Sequence, residues 1–185
     1  PGIKIAYPSN AADAKGLLKS ACRMDDPVIF LEHKGLYRQG YASSLEPDEN
    51  YLLEFGKAKV VKEGNDITII TWGALVEKSI QASNNMNVSC DIIDLRTLNP
   101  LDLDTIINSI KKTNRVIIVH EDNITNGFGA EITSRIVEEA FEYLDAPIER
   151  VGSKDTPVPY ASDLENEILV QTSWIEFAIK KIIEF

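Results

Sequence analysis

The sequence predicts an α/β fold with a mostly parallel sheet and helices on both of its faces. Three observations lead there. Strand-like and helix-like segments alternate over most of the 185 residues, the order that builds parallel sheets. Strand-like segments such as "CDIIDL" and "RVIIVH" carry few polar residues, as strands buried on both faces do. The helix-like segments repeat apolar residues at three- and four-residue spacing, which gives each one buried side.

Residues Ile3 to Tyr7 read as a short strand closed by Pro8. Ser9 or Asn10 can cap the helix that follows, in which Ala14, Leu17, Leu18 and Ala21 share a face. Asp25-Asp26-Pro27 ends it, because proline disfavours helix in the residue before it. "VIFLE" from Val28 is a second strand. This strand–helix–strand unit is too short to be a stable domain alone. His33 to Asn50 has no clear period, and "SSLEPDEN" has a linker's composition, so a domain boundary is expected there.

Beyond the linker, "KAKVV" and "ITIIT" are expected as antiparallel neighbours across a turn containing "EGND". "GALVEKSIQAS" is a helix and "SCDIIDL" a strand. "LDLDTIINSIKK" is a helix capped by Asp102, with Ile106, Ile107 and Ile110 inward. "RVIIVH" is a strand, followed by a helix with Ile132, Ile136, Val137 and Ala140 on one side. "APIERV" is the fifth strand after the linker. "SWIEFAIKKII" is the last helix, with capping-box spacing between Ser173 and Glu176 and with Trp174 and Phe177 expected in the core.

The balance of 44% hydrophobic and 26% charged residues is that of a soluble globular protein. A net charge of −10 opposes binding to nucleic acid or anionic membranes and suits a basic protein partner. No apolar run approaches the ~20 residues of a membrane span, and Pro1 to Asn10 shows no secretory leader pattern. A first residue other than methionine suggests a piece of a longer protein. Cys22 and Cys90 form no metal or redox motif and are expected as buried thiols in a reducing, cytoplasmic setting.

Ligands of open parallel sheets bind beyond the carboxyl ends of the strands. The candidate edges are Thr71-Trp72-Gly73, Arg96-Thr97, His120-Glu121-Asp122 and Arg150-Val151-Gly152. His120 beside two carboxylates could move protons, yet a lone histidine at a strand end is more often hydrogen bonded to its neighbours. Gly127 and Gly129 favour backbone room over an anion site, since Glu121, Asp122 and Glu131 make the turn acidic. The loop "KDTPVPYAS" either presents Tyr160 to a partner or packs over a sheet edge.

Six stretches together resemble the β subunit of the thiamine-diphosphate-dependent E1 component of 2-oxo acid dehydrogenase complexes. They are "PGIKIAYPSNAADAKGLLKSACRMDDPVIFLEHKGLYR", "GKAKVVKEGNDITIITWG", "IDLRTLNPLD", "VHEDNITNGFGAEI", "LDAPIERVGSKDTPVPYA" and "AIKKIIEF". The piece "DLRTLNPLD" also echoes transketolases and deoxyxylulose-phosphate synthases. "HEDNITNGFGAE" looks more like the branched-chain, acetoin or bacterial pyruvate enzymes than the mammalian pyruvate type.

The resemblance implies a transketolase C-terminal-like domain over residues 57–185. It would be a three-layer α/β/α sandwich around a five-stranded sheet with one antiparallel strand. It also implies a linker at 46–56 and, at 1–45, a β-α-β remnant of the pyrimidine-binding domain. The family's cofactor-activating glutamate and its β-chain catalytic histidine would lie upstream of Pro1, and the sites for the cofactor's diphosphate and Mg²⁺ on an α-type domain. No catalytic or cofactor-binding residue is therefore expected here. Residues matching a structural K⁺ site are Ala21, Cys22, Met24 and Asp26, with Met24 where aspartate is usual and Asp26 where asparagine is usual. Implied partners are an E1 α subunit or fused α domain, a second copy through the C-terminal domain, and the E2 acyltransferase, docked at the carboxylate of Phe185. Two other readings remain at this stage: an interaction module without catalysis, and a fragment of a transketolase-type enzyme.

Overall fold

Why the chain builds two sheets rather than one follows from where its apolar strands lie. The structure, a computed structural model, describes residues 2–185; Pro1, with which the expected N-terminal unit begins, lies outside them. The N-terminal unit is β1 (Lys4–Ala6), α1 (Ala11–Ala21) and β2 (Val28–Phe30), with β1 and β2 parallel. Asn10 caps α1 by accepting from the Asp13 amide at 3.0 Å. The fully buried residues of α1 are Asp13, Gly16 and Leu17; of the expected face Leu17 is buried and Ala21 packs in the same cluster, but Leu18 is 47% exposed.

The main sheet has five strands in the order β3 (Lys59–Lys62), β5 (Cys90–Asp94), β4 (Ile67–Thr71), β7 (Val116–Asn123) and β8 (Glu149–Ser153). Four are parallel and β3 is antiparallel. The antiparallel strand was expected beside β4 but pairs with β5 instead. β4 and β5 are buried along their whole length, so β4 is a central strand with β5 and β7 on either side. A sixth strand, β6 (Thr97–Asn99), leaves the main sheet and pairs antiparallel with β1. This strand was not legible as one, and it joins the two sheets.

Two cores follow from strand alternation. On one face Ile67, Ile69, Ile92, Ile117 and Val119 pack against α2 (Leu75–Met86) and α6 (Thr172–Ile183). On the other, Ile70, Ile93, Val116 and Ile118 pack against α3 (Leu103–Thr113) and α4 (Phe128–Ala140). Each fully buried isoleucine is worth about 2–3 kcal/mol of transfer free energy before entropy is counted. Asp102 caps α3 through the Thr105 amide at 3.2 Å, as its position suggested. Asn87 and Asn114 end α2 and α3 in the left-handed region, which asparagine tolerates.

Several local expectations yield to packing. α6 starts at Thr172 behind Gln171, without a side-chain cap bond, so the Ser173–Glu176 capping box does not form. Glu176 accepts from Asn85 of α2 at 2.7 Å instead. Trp174 packs against the core, but Phe177 is 70% exposed. Ile107 is only partly buried and Val137 is exposed. Cys90 is buried but Cys22 is exposed. A short helix, α5 (Ser162–Ile168), follows the Tyr160 loop and had no sequence signal strong enough to read. Tyr160 itself is fully exposed. No described helix is long and apolar enough to cross a membrane.

Candidate functional site

β4 and β7 are parallel neighbours, yet the helices that follow them, α2 and α4, pack on opposite faces. Their connections therefore diverge, and a crevice opens beyond their carboxyl ends. This is the topological switch point at which open α/β sheets hold ligands. Trp72, Gly73 and Ala74 leave β4 here, and His120 and Glu121 stand toward the end of β7.

His120 is buried completely. Its ring stacks on Trp72 with centroids 5.8 Å apart and planes within 5°. Nδ1 lies 3.0 Å from the Asp122 carbonyl, which identifies it as the N–H donor. Nε2 has no partner among the described residues. The ring fits because three glycines surround it. A Cβ at Gly127, Gly129 or Gly152 would come within 2.7, 2.5 or 2.8 Å of imidazole atoms. Gly129 and Gly152 therefore make room for a side chain, while Gly127, where a Cβ would meet the Asn123 carbonyl oxygen first, gives the backbone room expected of the turn. Burial lowers the His120 pKa below its ordinary value of 6.5. This histidine is a packed residue inside β7, which runs on to Asn123 rather than ending at His120 as the sequence suggested.

Glu121 points into the crevice and meets the N-terminal segment. Its carboxylate lies 2.7 Å from Nε2 of His33. That hydrogen bond raises the His33 pKa against the opposing effect of burial. Tyr7 lies over Gly73, whose positive φ of 58° and missing Cβ allow the ring to approach: a Cβ there would be 2.9 Å from it. Burial and the nearby Glu121 charge push the Tyr7 hydroxyl up to about 12. Lys78, in the first turns of α2, donates to the Val170 carbonyl at 2.6 Å, and burial lowers its pKa. The crevice is thus covered by residues of the chain's own N-terminal unit.

A second polar junction secures that unit. Arg96 Nε and Nη2 donate to both oxygens of Asp13 at 2.8 and 2.9 Å. The pair is nearly sealed from solvent, with side-chain exposures of 12% and 3%. Arg96 adopts φ 60°, uncommon for a residue with a side chain, and its amide donates to Asp94 at 3.1 Å. Ser9 donates to the other Asp94 oxygen at 2.5 Å. Complete burial raises the Asp94 pKa to about 6, despite these two hydrogen bonds.

Of the other candidate positions, Arg150 is near enough for its charge to act on His120. Arg150 donates to the Ile124 carbonyl at 2.9 Å and holds the loop after β7. Ala21, Cys22, Met24 and Asp26 share the turn after α1: the Ala21 carbonyl accepts from the Met24 amide at 3.2 Å, and Asp26 lies 3.4 Å from Lys4. Met24 packs against the Leu17–Phe55 cluster. Phe185 is 73% exposed, on the rim of a groove of about 390 Å³ shared with Val137, Phe141, Asp145 and Pro147. Among the described residues no three His, Cys, Asp or Glu side chains come together as a metal site.

The arrangement can hold a proton between His33 and Glu121 and can clamp two units together; it contains no nucleophile with its base. His33, Lys78, Tyr7 and Asp13 were missed in the sequence. Asp13 and His33 find partners 83 and 88 residues away, and no local spacing reports such pairs.

Residues 56–175 match the family described as "Transketolase, C-terminal domain", and residues 1–39 match "Transketolase, pyrimidine binding domain". The chain belongs to the transketolase C-terminal domain family. It is 46% identical, over 98% of its length, to the mitochondrial pyruvate dehydrogenase E1 component subunit beta of Dictyostelium discoideum, covering 52% of that protein. It is also 46% identical to the Rickettsia felis pyruvate dehydrogenase E1 component subunit beta, covering 56% of it, and 43% identical to a mitochondrial Arabidopsis thaliana one, covering 51%. The chain spans about half the length of the curated relatives it matches. Among solved structures, a chain titled "Split gene transketolase, inactive beta4 tetramer" superposes with a TM-score of 0.79, over all of this chain and 58% of that one. At 22% identity it shows the shared fold.

Proposed function

We propose that this chain is the C-terminal part of the β-type portion of a 2-oxo acid dehydrogenase E1 component. In that enzyme a 2-oxo acid is decarboxylated oxidatively and its acyl group passes to a lipoyl group on E2. The observation that carries the reading is the 46% identity to pyruvate dehydrogenase E1 β subunits, which runs through both matched segments rather than one. We divide the chain into a pyrimidine-domain remnant at 1–45, a linker at 46–56 and the C-terminal domain at 57–185. In support, the linker lies along α1, where Lys15 donates to the Pro47 carbonyl at 2.6 Å and the Leu53 amide to the Gly16 carbonyl at 3.3 Å.

Thiamine diphosphate supplies the carbanion chemistry when bound. The residues present do not fit its diphosphate and Mg²⁺. The buried carboxylates Asp13, Asp91 and Asp94 are engaged by Arg96, Lys112 and Ser9. This chain's task is therefore assembly with an α subunit or fused α domain, pairing with a second copy, and reception of E2. A K⁺ in the turn after α1 would rest on backbone carbonyls at Ala21 and Cys22, since Asp26 is engaged by Lys4 and the Met24 side chain packs inward. The cytoplasmic location belongs to this proposal, beside relatives named as mitochondrial.

Turnover tests the reading. The protein, with its α partner and thiamine diphosphate, should release CO₂ from pyruvate or a branched-chain 2-oxo acid. Turnover of ketose phosphates with none of 2-oxo acids would support the transketolase-type alternative. For docking, the exposed Phe185 side chain and the net charge of −10 suit a basic, partly apolar E2 segment. Phe185→Ala combined with Glu184→Gln should weaken E2 binding and flatten its salt dependence. Unchanged affinity and salt slope would reject the docking role.

A further inference from the structure

The crevice at the β4–β7 switch point is covered but not filled. A cleft of about 200 Å³ remains between the N-terminal unit and the start of α2. Its charged lining is Lys78, His33 and Glu121, and its apolar walls include Leu36, Leu75 and Val170. His33 and Glu121 lie 2.7 Å apart and neutralise one another when the histidine is protonated. Lys78 is half-buried, and among the described residues it has no carboxylate within ion-pair distance. Its ammonium makes one hydrogen bond, to the Val170 carbonyl, and retains two N–H donors. Glu121 acts on this ammonium through space but is hydrogen bonded to His33, so its one negative charge is shared between two cations. With His33 protonated, two cations face one carboxylate, and the one positive charge in excess, with apolar walls and a volume below that of ordinary ligand pockets, selects the ligand.

We propose that this cleft binds a short aliphatic monocarboxylate, its carboxylate on Lys78 and its carbon chain against Leu36 and Leu75. A dianionic phosphate is disfavoured, because its second charge would face Glu121 without a cation. The site does not depend on the E1 reading.

Equilibrium dialysis of the full chain with radiolabelled butyrate tests this, with inorganic phosphate as competitor. Saturable butyrate binding is expected, weakened about tenfold or more by Lys78→Met, as loss of a charge-assisted contact implies. Ala74→Leu adds bulk at the cleft and keeps the lysine, so it should also abolish binding; it decides the matter if Lys78→Met fails to fold. Absence of saturable binding, or binding that a folded Lys78→Met or Ala74→Leu leaves unchanged, would overturn the proposal. Displacement by phosphate as effective as by unlabelled butyrate would overturn the assignment to monocarboxylates.

Discussion

The chain's two histidines sit on opposite sides of one design problem. His120 is sealed among Trp72 and three glycines, where charge is costly, so burial holds its pKa below 6.5. Its contribution to stability is present above pH 6.5 and is lost as pH falls through its lowered folded value. His33 gains a carboxylate partner, which holds its pKa above 6.5. Its contribution is fully present below pH 6.5 and is lost as pH rises through its raised folded value. Proton NMR of the chain should therefore show two histidine Cε1–H resonances titrating on either side of that pH. Glu121→Gln should move the His33 midpoint downward and leave that of His120 nearly unchanged. A common midpoint for both histidines, or one that ignores Glu121→Gln, would refute the assignment.

At the level of elements, the alternating strands and helices were legible because apolar period survives in each segment: Ile106 and Ile110 on α3, Ile132 and Ile136 on α4. What was not legible depends on partners distant in sequence. β6 is only Thr97–Asn99, and its strand character comes from β1 beside it. Phe177 has helical spacing suited to the core, but α6 turns Ile175, Ala178, Ile179 and Ile182 inward and leaves Phe177 out. The site was half legible. His120 and Glu121 were placed at a strand end by sequence alone, whereas their meaning came from Gly152, Trp72 and His33, which no local motif connects. The sealed Arg96–Asp13 pair ties the two units together, beside the β1–β6 pairing. Arg96→Ala leaves Asp13 buried without its cation and should cost about 3 kcal/mol. The loss should appear as faster proteolytic cleavage within residues 31–50, ahead of the main sheet. Cleavage and stability indistinguishable from the parent would show that β1–β6 pairing alone holds the units together.

For the whole molecule, one organisation explains the covered crevice and the exposed residues. The place where an open α/β sheet would offer a catalytic site is covered by the chain's own N-terminal unit. Tyr160, Phe177 and Phe185, in contrast, face outward and remain free for other chains. The proposed role, a component of a larger enzyme, is the central claim. The most direct measurement is native mass spectrometry of the protein isolated from its own cells, with thiamine diphosphate assayed in the same sample. The account predicts an assembly well above 20.6 kDa that contains an α-type chain or domain and carries thiamine diphosphate. A species of 20.6 kDa, or multiples of it alone, with no thiamine diphosphate would contradict it and leave an interaction module in its place.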